Sequence, residues 1–393
     1  MFFNFRQINL FLLLTITIFC LVISFSVEAV ESEKNCSTNI FKIDSNFLSS
    51  GFSRCEIIAE NYIKIYVSPE DIDVINPSPW YAFRKSTHNK KVFVEIFYEK
   101  FKHRYHPKIS IDSINWDKIN SKSFRELEDG QGLLIEFLPL KKETIVSAQE
   151  IISSEWYLNW YKQLSSKDYV KISDLGLSNG KRPIYKVSII KNPKNPYIFF
   201  LGRQHPPEVS GVFALKEFVE TIISGNKLSL DFLNKYNIIV YPLLNPDGVD
   251  QGHWRHNLSS KDLNRDWGFF TQPETKLVFS DIQNILSGDK KVIALIDFHS
   301  TFKNLFYIQH PDENLGLSFS VNKWLKNSED DLTNYNFSIR PMKSKDNGVA
   351  KNFFFKEFNI PTITYEVGDE TDRNSIKQSA ITFSKNFMKI LTE

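Results

Sequence analysis

The sequence predicts an α/β domain, a mixed sheet covered by helices on both faces, preceded by a small all-β sandwich domain. Two observations predict it. Before about residue 146 the hydrophobic pattern is of short alternating or β-branched runs broken by Pro, Asn, Asp and Gly, and after it strand-length apolar runs alternate with segments of helical period. A third observation agrees with these two: the residues able to carry chemistry stand at the ends of the later apolar runs, where sites in open α/β sheets lie. The chain's 393 residues, 42% of them hydrophobic and 14% aromatic, suffice for both bodies.

The elements follow in chain order. Arg6 precedes an apolar stretch from Ile8 to Val27, and Val27-Glu-Ala29 offers a cleavage point, so residues 1–29 are expected to be a secretory signal peptide directing a secreted or periplasmic protein. The alternative is an uncleaved N-terminal membrane anchor, since the stretch approaches the length that spans a bilayer. Residues 30–145 are the expected β-sandwich, with strands in Glu56–Ala59, Tyr62–Val67, Lys91–Tyr98 and Gly132–Phe137. Cys36 and Cys55 remain after cleavage, and an oxidising compartment would favour a disulfide between them over two buried thiols.

Residues 146–393 form the second body. Helical spacing runs from Val146 to Leu164, followed by strands expected at 182–191, 196–202, 237–244, 292–299, 304–309 and 361–367. Helices are expected at 209–224, 272–287, 314–327, 349–358 and 373–391.

Where the run Tyr197–Leu201 ends, His205 and Glu208 stand three residues apart, and the run beginning at Val292 ends in His299. Two imidazoles and a carboxylate with one position left open form the ligand set of a catalytic zinc ion. For each histidine alone the ordinary reading is a satisfied polar residue at a strand end; the constellation favours ligation. Between the halves lie Asn245-Pro-Asp-Gly248, Trp254-Arg255 and Asp262-Leu-Asn264-Arg265, and near the C-terminus stands Thr362-Ile-Thr-Tyr-Glu366. In these five motifs, H-x-x-E, N-P-D-G, W-R, D-x-N-R and a final H then E, residues 147–393 resemble the zinc carboxypeptidases of the carboxypeptidase A superfamily. More loosely, Pro77–Arg84 and His103–Pro107 resemble the β-sandwich that precedes the catalytic domain in the cytosolic carboxypeptidase branch.

The resemblance implies the zinc carboxypeptidase fold, one Zn2+ per chain on His205, Glu208 and His299, and hydrolysis at peptide or protein C-termini. It implies that Asp262 accepts the free ring N–H of His205, with a helix or turn cap as the competing role. Glu366 becomes the general base; a glutamate in so apolar a strand is costly to bury without a task. Arg255 faces the scissile carbonyl, and Asn264 and Arg265 grip the substrate's terminal carboxylate, the alternative for Arg265 being a salt bridge to Asp266 or Asp262. His253 and His256 read as surface loop residues in preference to a fourth ligand or an acid. Pro207 stands where the digestive enzymes carry an arginine, and Met342–Ala350 lacks their mobile tyrosine, so those two functions transfer to no residue. Lys343 and Lys345 read as a solvated loop in preference to a site for acidic side chains.

A net charge of +2 and the absence of basic runs interleaved with aromatics exclude a nucleic-acid footprint. No stable membrane partner is expected once the signal is removed, and oligomeric state is not legible. Two other functions fit part of the pattern: a zinc amidase or deacylase acting on peptidoglycan peptides or N-acyl amino acids, and a catalytically silent binding protein. The first shares H-x-x-E, D-x-N-R and the glutamate base; N-P-D-G, a feature of the peptidase branch, stands against the deacylase, while nothing in the sequence decides against the peptidoglycan amidase. The second has no use for Glu366.

Overall fold

The computed structural model describes residues 34–313 and 320–393. The expected signal peptide therefore lies outside the described residues, as does the start of the helix expected over 314–327.

The N-terminal region is all β. A five-stranded sheet contains each of the expected strands, Arg54–Ala59, Tyr62–Val67, Val92–Tyr98 and Gly132–Phe137, with Phe124–Glu126 at its edge. A six-stranded sheet runs in the order Asn35–Ser37, Lys42–Asp44, Ala82–Lys85, Thr144–Ser147, Lys108–Ser110, Asp117–Lys118. Period-two alternation sends Ile63, Ile65 and Val67 inward from one sheet to share a core with Ile43, Phe83 and Val146 of the other. Cys36 and Cys55 form a disulfide between the first strands of the two sheets, their Cα atoms 6.1 Å apart. The strand Thr144–Ser147 corrects the helix expected from Val146: helix begins only at Ser154 and runs to Leu164, because Val146 is taken into the six-stranded sheet.

The third sheet, in the second body, has eight strands in the order Val170–Leu177, Pro183–Ile189, Asn237–Tyr241, Tyr197–Gly202, Val292–Thr301, Thr362–Gly368, Leu305–Gln309, Ser338–Met342. The four strands from Asn237–Tyr241 to Thr362–Gly368 are mutually parallel, and antiparallel pairs flank them. Continuous apolar runs suit strands covered on both sides. Ile198 and Phe200 enter one core with the helices Val209–Ile222 and Arg373–Thr392, while Tyr197, Phe199 and Leu201 enter another with Pro273–Ile285 and Ala350–Phe358. The mixed sheet with helices on both faces is thus observed. The edge strands Val170–Leu177 and Ser338–Met342 and the short helices Lys227–Leu233 and Pro246–Gln251 carry too little period to be read from sequence.

Candidate metal centre

Two strand ends and one loop assemble the site. In the parallel pair Val292–Thr301 and Thr362–Gly368, His299 stands directly opposite Glu366, so their side chains project from the same face of the sheet. The neighbouring strand Tyr197–Gly202 ends one turn short of His205, and Arg203, in the left-handed region at φ 52°, redirects the chain. Pro206 and Pro207 stiffen the turn, and Glu208 occupies the position just before the helix Val209–Ile222. Its carboxylate makes no capping bond there; it turns to the two imidazoles.

The donor atoms of His205, Glu208 and His299, all buried, lie within 4.8 Å of one another. His205 Nδ1 is 2.7 Å from Glu208 Oε1, and His299 Nδ1 is 2.7 Å from Oε2 of the same carboxylate. On the outer side, His205 Nε2 is 2.9 Å from Asp262 Oδ1 and His299 Nε2 is 2.8 Å from Asp297 Oδ2. Burial would raise the Glu208 carboxyl, but the two rings hold it well below the usual range. Burial would likewise lower the His299 ring, but Asp297 and Glu208 hold its pKa well above the ordinary value.

This donor set fits a divalent cation. Satisfying all four contacts with protons alone would require two buried imidazolium rings around one carboxylate, a costly arrangement. One cation in place of the two inner protons leaves each ring neutral, with its Nε2–H donating outward to an aspartate, the orientation found around zinc histidines. Two imidazoles and a carboxylate with a position left open suit a catalytic zinc ion.

Around the triad the motifs take distinct places. Asp262 does both things its sequence allows: Oδ1 accepts from the Asn264 backbone N–H at 2.8 Å as a turn cap while facing His205, and Oδ2 accepts from Arg255 Nε at 2.8 Å. Arg255 is buried, and its Nη1 donates to the Asn76 carbonyl at 3.2 Å. Asn245 caps the helix Pro246–Gln251 through the Gly248 N–H and donates to the Gln204 and His256 carbonyls, tying the H-x-x-E loop to the arginine loop.

Asn264 Oδ1 accepts from the Ala350 N–H at 2.8 Å, and its Nδ2 lies 3.3 Å from His299 Nε2, a ring nitrogen that already carries a proton in the metal-binding tautomer. The Asn264 amide hydrogens are therefore uncommitted. Arg265 is half-buried and donates to the Asn264 carbonyl; among the described residues it has no ion-pair partner. Its expected rival Asp266 is engaged by Thr271, Gln272 and Thr275. Gly348, at φ +73°, lies where a Cβ would come within 2.3 Å of the Arg265 carbonyl, so only glycine lets the two loops meet. Glu366 has one carboxylate oxygen buried without a partner. Burial, opposed by the His299 charge and reinforced by Glu208, pushes its carboxyl up to about 7.

Three residues that hold the site escaped sequence reasoning. Asp297 orients His299; Gln204 donates to Asp297 Oδ2 at 2.7 Å and accepts from Trp267 Nε1 at 2.9 Å. The D-x-H spacing of Asp297 and His299 puts both on one face of a strand and could have been read. His256 corrects its expectation: it is buried, and its Nδ1 meets Asp71 at 2.7 Å. Asn257 is also buried and donates to Gln272 and Glu274. Lys343 is exposed and pairs with Asp312.

The family model described as zinc carboxypeptidase matches residues 157–382. Among curated proteins, the chain is 37% identical over 83 residues to cytosolic carboxypeptidase 1 of Gallus gallus, covering 21% of this chain and 7% of that protein. It is 38% identical over 116 residues to cytosolic carboxypeptidase 1 of Xenopus laevis, covering 28% and 10%. The matches thus span a tenth or less of those relatives' length. A solved metallo-carboxypeptidase from Burkholderia cenocepacia superposes with TM-score 0.72 at 15% identity, over 90% of this chain and 98% of that one. One from Pseudomonas aeruginosa, in complex with (2-guanidinoethylmercapto)succinic acid, gives 0.70 at 15%, over 89% and 98%. At that identity the likeness shows the fold, and its coverage reaches beyond the residues of the family model into the all-β region.

These relatives overturn one expectation. They are cytosolic carboxypeptidases by name, so the expectation of a secreted or periplasmic protein, with its alternative of a membrane anchor, is withdrawn. The apolar stretch Ile8–Val27 fits an export signal by hydropathy, but hydropathy alone does not establish that the chain is exported or cleaved.

Proposed function

Because the chain belongs to the zinc carboxypeptidase family and is a zinc-dependent peptidase, we propose that it removes residues from the free C-termini of peptides or proteins. The observation that carries this reading is Arg265, a half-buried guanidinium bonded to the carbonyl of Asn264, whose own side chain lies 3.3 Å from His299, and without an ion-pair partner among the described residues. A planar cation so placed meets a terminal carboxylate with two hydrogen bonds, and the Asn264 amide adds a donor.

In this reading His205, Glu208 and His299 hold the ion, while Asp262 and Asp297 keep both rings in the ligating tautomer. When bound, zinc supplies Lewis acidity, polarising a carbonyl and lowering the pKa of water to about 7. Glu366, opposite His299 on the neighbouring strand, accepts the proton of the attacking water and passes it to the leaving amine. Arg255, locked between Asp262 and the Asn76 carbonyl, offers its remaining N–H groups to the oxygen on which negative charge develops.

The test is a pair of peptides that differ only in a free or amidated C-terminus. Amidation removes the anchor and leaves a half-buried cation unpaired, so kcat/KM should fall about 30-fold to several thousand-fold. Arg265→Ala should abolish that discrimination. Equal cleavage of both peptides by the unaltered enzyme would refute the exopeptidase reading and favour an amidase.

A further inference from the structure

The arginine loop is held from outside the α/β body. Glu70 of the all-β region accepts from three successive backbone N–H groups, Trp254 at 2.7 Å, Arg255 at 2.8 Å and His256 at 2.5 Å. Beside it, Asp71 accepts from Ser260 at 2.6 Å and meets His256 Nδ1 at 2.7 Å. The Trp254 indole N–H donates to the Trp80 carbonyl at 3.0 Å, and the Asn76 carbonyl receives Arg255 Nη1.

Glu70, Asp71 and His256 have the donor types of a second metal site. The hydrogen bonds assign them otherwise, for all four carboxylate oxygens are already engaged by protein donors. Three convergent amide N–H groups form a concavity for an anion, and here the anion is a side chain of the same protein.

Resting on the reading of Arg255 given above, we infer that Glu70 is a positioning residue for peptide-bond hydrolysis: its carboxylate clamps the backbone of Trp254–His256 and so fixes the Arg255 guanidinium. This gives the all-β region a part in catalysis. Asp262 fixes only the Nε end of Arg255; the Cα is set by the loop backbone, and that backbone is pinned by Glu70. An arginine free to shift by about 1 Å loses most of its advantage in stabilising developing charge.

Glu70→Gln tests the clamp with little change of volume. A glutamine keeps one acceptor oxygen and turns its amide, a donor, toward an N–H group. The variant should bind one zinc and retain its far-UV circular dichroism, and hydrogen–deuterium exchange in a peptide covering Trp254–His256 should accelerate at least about tenfold. Its kcat should fall about 10- to 100-fold with KM changed less than about twofold, since the contact at stake is made in the transition state. Glu70→Asp, shorter but still anionic, should recover part of the loss. In an Arg255→Ala background, Glu70→Gln should add less than about twofold. Unchanged exchange, unchanged kcat, or the same fold-loss in both backgrounds would overturn the clamp while leaving Arg255 in place. Undiminished kcat in Arg255→Ala alone would instead overturn the reading of that arginine, and the clamp with it.

Discussion

Glu366→Gln separates two properties of one carboxyl group, its cost to the fold and its use in the reaction. In the metal-free protein, burial raises the Glu366 pKa from 4.5 to about 7. A raised carboxyl binds its proton more tightly folded than unfolded, so stability is fully present below pH 4.5 and is lost as pH rises toward 7. The shift amounts to about 3 to 4 kcal/mol, at about 1.4 kcal/mol per pKa unit, and between pH 5 and 8 about 2 to 3 kcal/mol of it is expressed. A neutral glutamine does not titrate, so chelator-treated Glu366→Gln should gain about that much on the unaltered protein between those pH values. Urea unfolding of both proteins at pH 5 and pH 8 measures it. A stability difference that stays constant with pH would refute the burial argument. In the zinc-loaded variant turnover should fall by several orders of magnitude, because the amide cannot carry the proton; near-normal turnover would assign the base elsewhere.

Other outcomes follow from the same geometry. His299→Ala should lower zinc from one per chain to substoichiometric, measured by metal analysis after dialysis, and undiminished stoichiometry would remove His299 from the ligand set. Asp297→Asn and Asp262→Asn should each weaken zinc about 10- to 100-fold. Only the second also releases Arg255, so at saturating zinc it should show the larger loss of kcat; equal losses would contradict the double role of Asp262. Because ligation must displace the proton that Asp297 and Glu208 hold on His299, zinc affinity should fall as pH is lowered from 8 to 6. Isothermal titration at several pH values would expose a flat profile if that is wrong.

Local pattern determined a great deal. Apolar runs of strand length, alternating with helical period, specify the elements, because burial on one or both faces dictates that period wherever the element goes. Residue type at the run ends was enough for His205, Glu208 and His299, since few other side chains serve zinc. The strand expected over 292–299 and the one over 361–367 were both legible. That they lie side by side and in parallel, with His299 opposite Glu366, was not: strand order and register are settled by long-range pairing. Tertiary packing likewise decided that Val146 belongs to a strand, because the neighbour it pairs with, Phe83, is far away in the chain. It decided that Asp262 serves His205 and Arg255 at once, and that Asp297 completes His299. Above all it brought Glu70 and Asn76, in a stretch with no catalytic motif, onto the arginine loop. A carboxylate that binds backbone N–H groups leaves no signature in the partner's side chains, so only the folded chain reveals it.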